Sequence, residues 1–493
     1  MYLHLVFSKP GISRLVLFLS LLASFGCSDQ KSTSAPPFQK SEWLPGGSTT
    51  VMQHSKPRFD LPSANLPTNF KTDFHAGKAL AQQPWVKAPT ATDSRDGLGP
   101  IYNARTCMAC HMKGGKGIVP QDGSSELFSS LIRLSKPGKN KTSGVIPHPA
   151  YGDQLQTQST SLAHQLRHIP SAQTIAKDVE PEAYAYINWQ KKTVSYPDNK
   201  NITLRYPTPE FKHLNYGDIA QDTLISLRTA PMIHGMGLIE LIPQQQINAL
   251  IDEHDDNQDG ISGRSNHVWD SVKKSTVPGR FGLKANKATL TLTIAGAFAN
   301  DLGISNPLVK HQPCTQQQTA CITAPNGDDE NGVELNQSQL DRVVFFNRNL
   351  APVAARNLDE KQTETGRELF YDAGCSLCHN PSFITGPSES QTHLSNQKIW
   401  PYSDFLLHDM GTELADNRPD FEANGQEWRT PPLWGIGLQE AVNGSTALLH
   451  DGRANTVEEA ILWHGGEADS SKQFFMTLKK SDRDALIKFV ESI

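Results

Sequence analysis

Two pentapeptides constrain this chain more than anything else in it: Cys107-Met-Ala-Cys110-His111 and Cys375-Ser-Leu-Cys378-His379. Two cysteines, two spacers and a histidine form the attachment site of a c-type haem. The thiols add across the two haem vinyl groups, and the histidine, next on the same turn, reaches the iron from its proximal side. One such pentapeptide arises easily by chance; two in a chain of seven cysteines do not. Rival readings are weaker. A thioredoxin-like dithiol needs a βαβ setting, which neither site shows. A zinc ribbon keeps its CxxC pairs about 15–20 residues apart, whereas these pairs start at 107 and 375. Two covalently bound haem c groups are therefore expected.

At 493 residues the chain has room for two to four domains. It carries a net charge of −5 and no basic patch, Arg-rich helix or zinc-finger spacing, so nucleic acid is not an expected partner. The N-terminus reads as an export signal over 1–26: Lys9 and Arg14 precede the apolar run from Leu15 to Gly26, which is short for a membrane span. Cys27 follows at once, as in a lipoprotein, although Ser24 stands where Leu is usual. Cleavage near Ala23 is the plainer alternative. The expected location is periplasmic, with a lipid on Cys27 as the only membrane attachment, at the outer membrane. Residues 27–70, rich in Ser, Pro, Lys, Asn and Gln, read as a flexible tether. Cys314 and Cys321, in a polar loop, form either a local disulfide in an oxidising compartment or two free thiols.

Order is expected to begin near Phe74–Leu80, a short amphipathic helix. Between 118 and 230 short apolar runs alternate with Pro, Gly, Asn and Ser, which predicts loops, short helices and a few short strands such as Ile202–Tyr206. The spacing predicts helices over Gln244–His254, Ala285–Ala299 and Leu340–Leu350. Gly366, Leu369 and Phe370 ahead of Cys375 open a cytochrome c unit, and the amphipathic Ser481–Ile493 helix closes it. The expected fold class is mainly α. It comprises an N-terminal haem domain over 71–355, with a long loop-rich insertion carrying few short strands, and a C-terminal cytochrome c-like haem domain over 356–493.

Asp255, Asn257 and Asp259, followed by Gly260, match the first half of an EF-hand loop. Asn266 stands where the twelfth-position Glu is required. The loop is either a calcium site or a plain Asp/Gly turn.

The residue opposite each proximal histidine decides between electron transfer and reaction. In the C-terminal unit His408, His450 and His464 compete. His464 ends the Thr456–Trp463 helix before Gly-Gly and is the expected distal ligand, while His450 is expected to cap or to hydrogen-bond with Asp451 and Arg453. For the N-terminal haem, Met112 adjoins the proximal His111, and His148 and His234 read as structural, which leaves a five-coordinate iron with room for peroxide. Glu240 is then the candidate proton carrier. Trp434 and Trp463 are either core residues or electron relays.

The chain resembles the dihaem c-type oxidoreductases, sometimes called thiol oxidoreductases, that are related to bacterial cytochrome c peroxidases and MauG-like enzymes. The resemblance rests on Gly99–His111, Gly235–Glu240, Asp259–Arg264, Arg280–Ala285, Tyr402–Gly411, Arg429–Trp434, Leu449–Ala454 and Trp463–Glu467. It implies that electrons from a donor cytochrome or cupredoxin enter at the C-terminal haem and pass to the N-terminal haem, which reduces peroxide or another small oxidant. In those relatives Met or Tyr stands where His464 falls by spacing, so a bis-histidine second haem is a departure from both. The alternative is a dihaem electron-transfer cytochrome with no substrate of its own.

Overall fold

The structure is a computed structural model and describes residues 34–53, 56–91, 95–169 and 178–493. The export signal at 1–26 and Cys27 lie outside the described residues. The described residues, from 34 to 493, form one compact unit. Helices account for 29% and strands for 17%, and every sheet is two-stranded, so loops set much of the architecture.

Each CxxCH motif is preceded by a helix that crosses a later helix at a glycine. Lys71–Gln82 lies against Gln337–Arg348, and a Cβ on Gly77 would sit 2.0 Å from the Arg342 carbonyl oxygen. Lys361–Asp372 lies against Lys480–Ser492, and a Cβ on Gly366 would sit 1.9 Å from the Ala485 carbonyl oxygen. Only glycine permits backbones so close. Aromatic pairs lock both crossings, Phe74–Phe346 at 5.2 Å and Phe370–Phe489 at 5.4 Å between ring centroids.

Capping explains where the other helices start. Asn336 and Gln339 form a reciprocal capping box for Gln337–Arg348, and the Thr456 hydroxyl accepts from the Glu459 N–H at the start of Val457–Trp463. The helix expected from Ala285 begins only at Leu290 and runs to Asp301. Ala285 has φ +48°, outside helical space, and the Thr289 hydroxyl caps the Leu292 N–H at 3.2 Å. The helix expected over Gln244–His254 stops at Asn248.

The insertion is less loop-like than its composition suggests. Tyr184–Ser195 and Asn201–Lys212 form a hairpin twelve residues long on each side. Only the start of its second strand, Ile202–Tyr206, is legible as a strand, because Pro207 and Pro209 follow. In a two-stranded sheet both strands are edges, so a proline lacking its N–H is tolerated where it faces outward. Pro207 lies opposite Trp189 and Pro209 opposite Ile187.

Three cores result. The first gathers Phe74, Trp85, Phe298 and Phe346 with Phe383, Phe405 and Trp434, and Cys107 and Met108 pack on it. The second gathers Phe370, Trp400, Tyr402, Trp463, Phe475 and Phe489 with Tyr196 and Leu204 from the hairpin, and Cys375 packs on it. The third lies under the hairpin base, from Ile132, Tyr151, Ile187 and Leu227. The first two cores each take residues from both sides of position 355.

The expected tether differs from what is observed. From residue 34 onward it is folded onto the body: the buried Glu42 carboxylate receives Arg367 through two bonds of 3.0 Å, and Phe59 stacks on His234 at 4.2 Å. Its polar composition hid these few anchoring residues. Cys314 and Cys321 are joined as a disulfide.

Candidate functional site

The two motifs use the same local device. Thr106 caps the single turn Cys107–Cys110 by accepting the Met108 N–H, and the His111 N–H bonds the Cys107 carbonyl oxygen at 3.0 Å. Gly374, at φ +74°, launches the turn Cys375–Leu377, and the His379 N–H bonds the Cys375 carbonyl oxygen at 2.9 Å. Each turn sets two thiols and an imidazole on one side.

Both motifs open into one cavity of about 500 Å³. Cys107, Cys110, His111, Cys375, Cys378, His379 and His464 all line it. The four thiols are free, and burial pushes those of Cys107, Cys110 and Cys375 up to about 12 and raises that of Cys378. A dithiol that works through its thiolate needs the opposite shift; what both pairs share instead is a place on the cavity wall beside an imidazole.

Three imidazoles are oriented alike. Nδ1–H donates to a backbone carbonyl in each: His111 to Pro231 at 2.7 Å, His379 to Tyr402 at 2.9 Å and His464 to Ala460 at 2.7 Å. A carbonyl only accepts, so this fixes the tautomer and leaves Nε2 with its lone pair for the cavity. Burial lowers the pKa of all three, that of His379 to about 4, which keeps them neutral as metal ligands must be. His464 is close enough to His379 to depress it further. The residues present thus fit two haems attached at the CxxCH turns, with His379 and His464 at the second site and His111 at the first.

The other cavity histidines are engaged differently. His408 donates Nε2–H to Asp404 and Nδ1–H to Glu467, both at 2.7 Å. Burial pushes its pKa down, but Cys378 and Asp404 beside it more than reverse this, and it stands well above the usual imidazole range. With both nitrogens committed it is no ligand. Glu467 also accepts the Ser262 and Asp409 N–H groups at 3.0 and 2.9 Å, which ties down the segment carrying His464. His450 stacks on Trp428 at 3.7 Å, with Nε2 3.4 Å from Asp451. Arg453 is held by Asp451 at 2.7 Å and covers Trp463 at 4.6 Å.

Glu240 stands apart from the cavity. Its carboxylate pairs with Arg348 Nε at 2.6 Å and accepts the Leu290 N–H at 3.0 Å, capping that helix. A carboxylate so engaged is not available as the expected proton carrier. The carboxyl that does line the cavity is Asp301, at the end of the Leu290–Asp301 helix. Burial raises its pKa, and Gln154 donates to Oδ1 at 2.8 Å. Sequence reading missed it because a lone Asp at a helix end carries no motif. Met112 is exposed, and neither His148 nor His234 lines the cavity; the latter bonds the Trp434 carbonyl oxygen at 3.2 Å.

The Asp255–Asp259 loop turns its oxygens on itself. Asp255 accepts the Gly260 N–H, Asn257 that of Asp259 at 2.8 Å, and Asp259 that of Ile261 at 2.9 Å. Among the described residues no group of three or more His, Cys, Asp or Glu side chains is arranged to hold a metal ion, and no helix is long and apolar enough to cross a membrane.

The family described as "Di-haem oxidoreductase, putative peroxidase" has a model that matches residues 41–493. No curated protein and no solved structure matches the chain.

Proposed function

The chain belongs to the di-haem oxidoreductase family, and on that premise we propose that it is an exported c-type peroxidase that reduces peroxide at the His111 site with electrons received at the His379–His464 site. The observation that carries this reading is the asymmetry of the cavity. Two carbonyl-locked imidazoles belong to the second site and one to the first. Two imidazoles on one iron suit electron transfer, and a site with a single imidazole can admit a substrate. When bound, the haem irons supply the electron storage and the peroxide reduction.

The chain's own part is positional and protic. The backbone carbonyls of Pro231, Tyr402 and Ala460 hold the three ligands in one tautomer. His408 and Glu467 anchor the His464 segment. Asp301, at the cavity wall with its pKa raised by burial, is assigned the proton-carrier role in place of Glu240. The reading includes covalent attachment through the four cysteines, a cytochrome or cupredoxin donor, and a periplasmic location with a lipid on Cys27.

The test is peroxide-dependent oxidation of a reduced small cytochrome by the half-reduced holoprotein. The expected results are turnover, a high-spin ferric signal from one haem, and a loss of about 10²–10⁴-fold in rate in Asp301→Asn with both haem spectra unchanged. Two low-spin haems, both reducible and without turnover, would show an electron carrier instead.

A further inference from the structure

The cavity wall carries more positive charge than the protein itself answers. Three cations that line it have carboxylate partners: Arg133 has Asp153 at 3.0 Å, Arg228 has Asp420 at 2.9 Å and Lys472 has Asp469 at 2.6 Å. Four others do not. Lys116 Nζ donates to the Leu449 carbonyl oxygen. Arg280 donates to the carbonyls of Ile239, Glu240 and Ile242 at 3.0, 2.9 and 2.7 Å and to the Gln244 amide oxygen at 2.8 Å. Arg429 donates to the Gly282 and Thr430 carbonyls at 2.8 and 3.1 Å. Among the described residues Lys287 Nζ has no hydrogen bond or ion pair, and it lies against Gly296. Carboxylates act on these four only from beyond ion-pair distance, Asp451 on Lys116, Glu240 on Arg280, Asp301 on Lys287 and Asp404 on Arg429; carbonyl dipoles satisfy N–H groups but do not cancel a full charge, and a cation with no contact partner held away from water is costly. Burial accordingly lowers Lys116 to about 8, Arg280 and Arg429 to about 10, and lowers Lys287 as well. The one carboxyl on the wall, Asp301, is itself pushed up by burial.

Two haems bring four propionates. We propose that Lys116, Arg280, Lys287 and Arg429 are their counter-charges, Lys116 and Lys287 at the His111 site and Arg280 and Arg429 at the His379 site. The proposal rests on the two-haem reading above. Lys116 follows His111 on the same loop. Lys287 feels Asp301, which is itself felt by Cys107 and Cys110. Arg429 feels Asp404, whose N–H bonds the Cys378 carbonyl oxygen at 2.9 Å. Arg280 holds Gln244, on the turn whose Gln246 bonds Ile384 shortly after Cys378. The four cations thereby do two things: they make the empty cavity unfavourable, and they hold the propionates ionised once the haems are in place.

The experiment uses the holoprotein with two haems verified by mass; a wild-type chain without two haems would sink the underlying reading rather than this one. Midpoint potentials of both haems are measured by spectroelectrochemistry in wild type, Lys287→Met and Lys287→Arg. Removing a positive charge beside a haem favours its ferric form. Lys287→Met is expected to lower the His111-site potential by about tenfold in the reduced-to-oxidised ratio, 59 mV for one electron, and to leave the other site alone. It is also expected to give that potential a slope between about pH 5 and 7, as a propionate without its partner takes up a proton. Lys287→Arg should behave as wild type. A shift without a slope, a wild-type potential in Lys287→Met, or an equal fall in Lys287→Arg overturns the proposal. Loss of the first haem in Lys287→Met that Lys287→Arg restores supports it; loss in both overturns it.

Discussion

At the residue scale, contiguity decides what a sequence reveals. The CxxCH turns are legible because all their chemistry lies within five residues, and His464 because it ends a capped helix. His408 is not legible, because Glu467 lies 59 positions away from it. The four cations without an ion-pair partner are not legible either, since nothing in a sequence says which lysines and arginines lack a carboxylate in contact. The same holds for Asp420, buried among Arg228, Arg418 and Arg133. Burial pushes its pKa up, but the three guanidiniums overcome this and hold it well below the usual carboxylate range. Its folded pKa lies below its unfolded one, so its stabilisation is complete above about pH 4 and is lost as pH falls from there through the folded value. Asp420→Asn is expected to destabilise the fold at neutral pH by about 3–5 kcal/mol, because it leaves buried cations unpaired. In acid titrations followed by circular dichroism the variant should lose less stability below pH 4 than wild type does.

At the element scale, each attachment turn is held by a helix pair that meets at a glycine. That pairing was readable for the second unit, where Gly366 precedes Cys375 closely, and less so for the first, where Gly77 is thirty positions from Cys107. Gly366→Val must move either the Lys361–Asp372 helix or the Ala485 backbone. Overpacking of this kind costs roughly 1–3 kcal/mol. Thermal unfolding should show a lower midpoint, and below it the second haem absorbance should already differ from wild type, because Phe370 lies beside His379 at 6.3 Å. The hairpin was the element least legible from sequence. Its prolines argue against a strand until one knows that neither strand has a second neighbour.

At the scale of the whole molecule, sequence reading divides the chain at 355 and 356, whereas the packing is shared across that point. The second core needs Tyr196 and Leu204 from the hairpin, and Tyr196 donates its hydroxyl hydrogen to Glu458 at 2.9 Å. Arg367, buried on the helix before the second motif, needs Glu42. Residues 356–493 expressed alone are therefore expected to bury less apolar surface than a stable domain requires and to melt without a cooperative transition. Residues 34–493 should melt in one. A sharp melt for the short piece would show that the hairpin and the N-terminal segment are accessories.

The Glu42–Arg367 pair also has a consequence in time. The partners are 325 positions apart, and a ribosome adds about 5–20 residues per second. For roughly 16 to 65 seconds the newborn chain therefore carries a glutamate whose buried partners Arg367 and Tyr402 have not yet been made. Over that interval Glu42 has no reason to leave water, so the segment around it docks only after the helix that precedes the second motif has been made.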